Sequence, residues 1–493
     1  ECYLPQESRG NREIAVSARV QKNASSITEL DASLEVALNE IRDHLVGDRR
    51  HSLFPLTEAE VRAAQPTPSQ QHIIDAGALV GAQAPSDEPI RAFEKAEPAQ
   101  KVAAPRIISP DDAAHKLLAS RFMIPVHRMC VDRFGVEGER WYAPGMKPVE
   151  IAERVAEICQ QDDVTLADGD KFDSSISPIE RAWEHSIYYA LYHPSTHVEL
   201  EIALKKMHLC PVVFGGVVYE QLCGRGSGFA DTTVGNTLWN MAKDYAAART
   251  EPSCGGFRTP EEARRRSGIY MGDDSVCKKI GTEHLVSTGA KLGLVLEVEQ
   301  KKFGDPGVNF ISRFFGPYVW NGDASSTCDV PRICSKIHVA PRLAAQNLRP
   351  EDKLVQRCLG LRLSDANTPV IGAYACAVIK FFGAPVAVVP ELAGFYAGLE
   401  KDAQFPNDDV NGWMGAFWSE RCPNMTPDVM EGHLDRCIFD PKLLLSPPLC
   451  FRPVPVVAPP EMVPDVPHTT VGTPFAPFAQ VKLTPDERQE LRD

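Results

Sequence analysis

Leu30, Leu34, Leu38, Ile41 and Leu45 recur at three- and four-residue spacing, which predicts the apolar stripe of an amphipathic helix with Gly47 as its stop. A second helix is predicted from Thr57, because Thr57 and Glu60 have capping-box spacing ahead of Val61. From Ala82 to Pro105 the periodicity gives way to Ala, Pro and mixed charge, the pattern of a long mobile loop. From about Val164 to Gly316 short apolar runs alternate with glycine turns and helical patterns, so an α+β region is expected. From Val339 to about Asp440 the pattern is mainly helical. After Ser446 the chain is Pro-rich and aperiodic, which predicts an extended or disordered tail. No internal repeat is visible.

Composition narrows the class. A chain of 493 residues is too long for one ordinary core but suits an enzyme of two or three lobes. With 43% hydrophobic and 24% charged residues it has the balance of a soluble globular protein. Its richest apolar stretch, Val370 to Leu399, is interrupted by Lys380, Pro385, Pro390 and Glu391, so no membrane span is expected. A net charge of −14 argues against a protein that coats nucleic acid, while leaving room for an internal basic channel. The 14 cysteines are scattered without zinc-site spacing, which points to a reducing, intracellular setting. His433 and Cys437, four apart, read as unrelated neighbours on one helix face. The chain starts at Glu1 rather than Met, as expected of a processed or trimmed piece, and shows no signal peptide.

The chemistry concentrates in three places. Val164-Thr165-Leu166-Ala167 reads as a strand delivering Asp168, followed by Gly169-Asp170-Lys171-Phe172-Asp173. Three carboxylates crowded on one turn repel one another unless a cation neutralises them, which is a physical reason to expect a divalent metal; an isolated acidic turn is otherwise simply solvated. Ser177, Pro178 and Glu180 then start a helix with a capping box. Further on, Ser267 to Met271, Gly272-Asp273-Asp274 and Ser275 to Cys277 read as a hairpin with two acids at its tip. Two strands, each presenting an Asp, suit two-metal phosphoryl transfer. Between them, Gly224 to Asn236 forms a Gly-rich loop running into a helix on which Thr232 and Asn236 share a face. Small residues let a backbone approach a base pair, and Thr and Asn can hydrogen-bond sugar hydroxyls.

The order of acid cluster, Ser-Gly-x3-Thr-x3-Asn and Gly-Asp-Asp resembles motifs A, B and C of positive-strand viral RNA-dependent RNA polymerases. Within that superfamily Trp141 to Gly145, Ile151 to Val155, Phe310 to Arg313, Pro331-Arg332 and Lys336 to His338 are most like nodaviruses and their relatives, although Ser275 stands where those enzymes usually have Gly. The resemblance implies an α+β right-hand polymerase fold with an antiparallel palm sheet and a helical thumb. It also implies Mg²⁺ (or Mn²⁺) held by Asp168 and Asp273, with Asp274 secondary. Asp173 and Asn236, with Thr232 and Ser227, would sense the ribose 2′-hydroxyl, and Gly228 would belong to the same nucleotide-binding loop. Ala290 to Leu294 followed by Glu299-Gln300-Lys301 resembles motif D and makes Lys301 a catalytic general acid. Val308 to Phe315 resembles motif E and places Arg313 on the nascent RNA. Lys101 to Ile108 resembles motif F, whose Lys101 and Arg106 would bind the triphosphate. RNA template and product, ribonucleoside triphosphates and other replication proteins are the implied partners, in host cytoplasm at membrane-associated replication sites reached through another region.

The implied layout is an N-terminal extension (1–65), fingers (66–163), motif A of the palm (164–178), a fingers insertion (179–222), motifs B to E (223–316), a thumb (317–445) and the Pro-rich tail (446–493). The basic run Arg264-Arg265-Arg266 either faces RNA or is a solvated surface. A reverse transcriptase is the nearest rival, since Tyr270-Met271-Gly272-Asp273-Asp274 is similar to its Tyr-x-Asp-Asp signature. Gly272, Asp173 and Asn236 argue against it, because a deoxynucleotide enzyme excludes the 2′-hydroxyl rather than bonding it. A non-catalytic RNA-binding scaffold is the rival of another class, and intact acids argue against it, since buried charge without use is costly.

Overall fold

The β-branched run at Val164 forms the inner strand of a four-stranded antiparallel sheet. In this computed structural model, which describes residues 3–446 except 6, 81–88, 137, 206, 208–210, 253–255, 341–347 and 384–400, the strand spans Val164–Gly169. It pairs with Asp274–Lys278 on one side and Leu296–Lys301 on the other, and Ile269–Met271 forms the edge beyond Asp274–Lys278. Alternation along these strands feeds two separate cores. Val164, Leu166, Ile269 and Val276 pack towards the helix Pro148–Cys159, while Ala167, Tyr270 and Cys277 face the helices Ala32–Val46 and Thr232–Thr250. Both faces are therefore covered, and only the strand ends are left for chemistry.

The helix Thr232–Thr250 is buried on almost every side, Lys243 and Asp244 included. Such a helix is a central strut rather than a surface element. The first predicted helix spans Ala32–Val46 with Leu34, Leu38, Ile41 and Leu45 buried and Gly47 in a positive-φ C-cap, while Leu30 precedes it and is half-buried. Thr57 and Glu60 form the expected reciprocal capping box. Ser177 caps Pro178–Leu191 by accepting from the Glu180 N–H, but the Glu180 side chain turns away to Arg225 and closes no box. Burial of an arginine next to it outcompetes the local cap.

The segment expected to be a long mobile loop is instead partly paired. Residues 81–88 lie outside the described residues, but Ile90–Arg91 runs parallel to Pro211–Phe214, and Phe93–Glu94 pairs with Ile107–Ile108. Its partners lie more than a hundred residues away or across a turn, so periodicity within the segment carried no trace of them. Beyond the four-stranded sheet, Val308–Phe310, Arg313–Phe315 and Ser326–Cys328 make a second antiparallel sheet. Helices Pro350–Ser364, Ile371–Phe382, Trp413–Arg421 and Pro427–Phe439 follow, as the apolar pattern predicts, with a separate core around Leu354, Val355, Tyr374 and Val378. The Pro-rich tail after Ser446 lies outside the described residues.

Candidate active site

Asp168 stands near the end of the central strand, where Ala167 pairs with Ser275 and so lies beside the hairpin tip. Met271 and Asp274 pair across Gly272 and Asp273, and only Gly272 takes positive φ, +64°, at the first central position of the two-residue turn. A side chain there would be strained, which accounts for glycine before the acids. The tip is held from the buried helix. The Gly272 N–H donates to Thr237 Oγ1 at 2.9 Å, and Asn240 Nδ2 donates to the carbonyls of Gly272 and Asp274 at 3.0 and 3.3 Å. Thr237 and Asn240 were not singled out from the sequence. Their signal was their place on the helix of Asn236, one position and one turn on.

Desolvation in the cleft, then Asp273, then Glu297 raises the Asp168 carboxyl above its usual range; desolvation, Asp273 and Asp168 push Asp274 up to about 6. After burial, the Asp273 charge is the largest influence on both, the electrostatic state expected where a cation belongs. Among the described residues no three His, Cys, Asp or Glu side chains close into a metal cage. Mg²⁺ characteristically takes one or two carboxylates together with water and substrate phosphates, so this all-oxygen donor set fits it without a cage. Asp170 is differently engaged. It pairs with Lys171 at 2.7 Å and accepts from Asn23, and these bonds hold its carboxyl below the usual range.

Asp168 and Asp273 lie on a cleft of about 940 Å³, at the upper end of the roughly 300–1,000 Å³ usual for ligand sites, while Asp274, the next residue, is outside its lining. Asp168, Asp173, Asp273, Ser227, Thr232, Asn236 and Arg106 all line it, as do Arg19, Lys171 and Glu297. Asn236 Nδ2 donates to Asp173 Oδ1 at 2.7 Å, and Arg225 Nε donates to Asn236 Oδ1 at 2.6 Å. Arg225 fixes which way the amide points. A flipped amide would set its oxygen against the Asp173 carboxylate. The Thr232 hydroxyl donates to the Gly226 and Phe229 carbonyls and so braces the loop.

Beneath this pair lies a buried charge cluster that sequence reasoning missed. Arg225, fully buried, meets Glu184, Asp231 and, at 3.3 Å, Glu180; Arg181 meets Asp231 at 2.7 Å. Desolvation alone would lower Arg225, but Glu184, Asp231 and Glu180 hold it well above its ordinary value. Asp231 drops to about 2 because Arg225 and Arg181 outweigh its burial, whereas burial and Glu184 push Glu180 well up. Two guanidiniums facing three carboxyls balance when Glu180 keeps its proton.

Other expected site residues fall elsewhere. Lys301 pairs with Val164, at the opposite end of the strand from Asp168, whose partner is Glu297. Four residues at ~3.3 Å each put it roughly 13 Å along the sheet from the acids. Its ammonium pairs with Glu299 at 2.6 Å. The structure therefore does not bring Lys301 to the acids: counting from Gly293 did not reveal that the intervening chain runs away from them as a strand. Arg313, expected on RNA, is buried, donating to Asp365 Oδ2 at 2.7 Å and to Ser326, with Phe405 against its guanidinium. It joins the second sheet to the following helix. Lys101 is exposed and outside the cleft lining, and Gly228 lies outside it too, with φ of +114° and its carbonyl on Lys116 Nζ at 2.6 Å. In the basic run, Arg265 pairs with Glu261 and Arg266 donates to the Lys279 carbonyl.

Comparison with known proteins places this geometry. The family model described as viral RNA dependent RNA polymerase matches residues 70–253. The RNA-directed RNA polymerase of Nodamura virus (strain Mag115) is 27% identical over 300 residues, 59% of this chain and 27% of that protein. That of Macrobrachium rosenbergii nodavirus is 30% identical over 305 residues, 59% of this chain and 27% of the relative. For Greasy grouper nervous necrosis virus the identity is 26%, covering 84% of this chain and 41% of the relative. The chain thus spans well under half the length of these relatives. Among solved structures, the RNA-dependent RNA polymerase of a human picobirnavirus superposes with a TM-score of 0.59 at 14% identity, over 84% of each chain. The Sicinivirus 3Dpol polymerase does so with 0.56 at 15% identity, over 80% of this chain and 91% of its own. The fold is that of a right-hand polymerase.

Proposed function

We propose that this chain, similar to viral RNA-dependent RNA polymerases in its family match and in its nodaviral relatives, is one of them and copies an RNA template by nucleotidyl transfer from ribonucleoside triphosphates. The observation that carries this reading is the apposition of the Asp273-Asp274 hairpin tip to Asp168, with the proton affinities of Asp168 and Asp274 raised by burial and then by neighbouring carboxylates. In the reaction the 3′-hydroxyl oxygen of the growing strand bonds to the α-phosphorus, the bond to the β-phosphate breaks, pyrophosphate leaves and the hydroxyl proton passes to water.

Asp168 and Asp273 would hold the divalent cations, with Asp274 beside them. When bound, those cations lower the pKa of the attacking hydroxyl and neutralise the departing pyrophosphate. Asp173 and Asn236, locked at 2.7 Å, present polar atoms to the ribose, and a site built to bond a hydroxyl discriminates strongly against a substrate lacking one. That pair disfavours reverse transcription. Arg106 supplies a planar donor fork for phosphate oxygens at the cleft wall. No helix among the described residues is long and apolar enough to cross a membrane.

The test is labelled ribonucleotide incorporation on a defined RNA template in Mg²⁺ and in Mn²⁺. Asp273→Ala, whose side chain is exposed at a turn, is expected to keep its melting temperature and lose incorporation. A folded Asp273→Ala protein that polymerises at the parent rate refutes the reading, and an inactive parent chain that binds RNA would favour the non-catalytic scaffold.

A further inference from the structure

The N-terminal segment, to which the sequence pattern assigns no role, borders the cleft. Helix Arg9–Val16 continues into a π-helical turn, Ser17–Gln21, and Ala18, Arg19 and Val20 of that turn line the cavity that holds the acids. π-helical turns are rare and concentrate at functional sites. The turn is tied down at both ends. Ala15 and Val16 are buried in the main core, and Asn23 donates to the Asp170 carbonyl at 2.5 Å and to its carboxylate at 3.1 Å.

Arg19 is half-buried, and its Nε donates to the Ala104 carbonyl at 2.9 Å, which docks the guanidinium on the segment that carries Arg106. Both arginines line the same cavity, and Arg106's charge bears on Arg19. The nearby carboxylates are otherwise committed. Glu97 pairs with Lys95 at 2.9 Å and Arg106 at 3.3 Å, and Asp170 pairs with Lys171 at 2.7 Å and Lys22 at 3.8 Å. Arg19, Arg106 and the lysines paired to Glu97 and Asp170 outnumber these two carboxylates, the acids whose charges act on Arg19, and leave a site for an incoming anion at this wall of a cleft whose other acids are Asp168, Asp173, Asp273 and Glu297. A guanidinium anchored through Nε still offers its Nη donors in the planar fork that matches phosphate oxygens.

We propose that Arg19 is a triphosphate-binding residue, gripping the β- and γ-phosphates of the incoming nucleotide together with Arg106, so that the N-terminal segment completes the nucleotide site. The assignment rests on the polymerase reading for its ligand, and on the cavity geometry for its place. The segment's function is then substrate capture, beyond packing.

The full chain with Arg19→Ala is compared with the parent in single-nucleotide incorporation over a range of nucleotide concentration. The apparent KM is expected to rise about tenfold to a hundredfold, the range for losing a charge-assisted hydrogen bond, with kcat at saturation within about twofold and an unchanged melting temperature. Arg19→Lys should fall between. Calorimetric titration of both proteins with inorganic tripolyphosphate and Mg²⁺ reads the same contact without catalysis, and affinity should fall by a similar factor. Loss of tripolyphosphate affinity in a chain that does not polymerise would support the anion site while overturning the polymerase reading. Unchanged KM and unchanged tripolyphosphate affinity in folded Arg19→Ala, or a fall in kcat alone, would overturn the role of Arg19. Should Arg19→Ala not fold, Arg19→Gln, which keeps a donor and most of the stem, takes its place under the same criteria.

Discussion

Replacing Arg225 by Met removes one of two guanidiniums from a cluster that is shut off from water. With Glu180 protonated, Arg225 and Arg181 balance Glu184 and Asp231; without Arg225, one carboxylate is left unpaired in the interior. Breaking a buried pair in this way costs about 3–5 kcal/mol. That is a large share of the roughly 5–15 kcal/mol that holds a protein folded. At about 1 °C per kcal/mol for a chain of this length the melting temperature should fall by roughly 3–5 °C. Arg225→Lys separates charge from geometry. A lysine keeps the positive charge but lacks the Nε that donates to Asn236 Oδ1 at 2.6 Å. The amide is then free to turn over, and its hold on Asp173 weakens. Preference for ribonucleotide over deoxynucleotide, measured as a ratio of kcat/KM values, should drop about tenfold, equivalent to ~1.4 kcal/mol, with a smaller loss of stability than in Arg225→Met. A chain in which Arg225→Met melts within about 2 °C of the parent and Arg225→Lys discriminates as before would refute both the charge balance and the amide-orienting role.

Arg313→Ala should act on stability and leave RNA affinity nearly intact, because it strands Asp365 in the interior; a loss of about 3–5 kcal/mol in denaturant unfolding is expected, and an RNA-binding defect in a stable variant would contradict it. Lys301→Leu should leave single-turnover incorporation within about twofold of the parent, below the roughly hundredfold effect of losing a general acid, and a larger slowing by rapid quench would restore that role. Burial pushes His338 down to about 4, and burial with Arg181 does the same to His185. The unfolded chain, with His near 6.5, takes up protons first, so stability present above about pH 6.5 is lost as pH falls towards 4. Melting temperature should therefore decline between about pH 7 and 5, less steeply in His338→Gln, and equal slopes in the two proteins would exclude His338 as a source.

What the sequence determined by itself was local. Strand Val164–Gly169, the Gly272-Asp273 turn, the Thr57 box and the helix opening at Thr232 each follow from side-chain chemistry within a few residues, and so the acidic turns were legible in the residue pattern, whereas the joining of Asp173 to Asn236, sixty-three residues apart, was implied only by the resemblance to polymerases. The tertiary structure decided what depends on register and on distant partners. Lys301 carries the right chemistry after Gly293, but a side chain's distance from the acids depends on whether the intervening residues turn or extend, and pairing with Val164–Gly169 extends them away. Arg313 has the charge to bind RNA, yet Asp365, fifty-two residues on, claims it. Arg19 lies a hundred and forty-nine residues before Asp168 and reaches the same cavity because the core seats Ala15 and Val16. Charge finds its partner through the fold, since an unpaired ion in the interior is too costly to leave, and one-dimensional spacing carries no record of which partner that is.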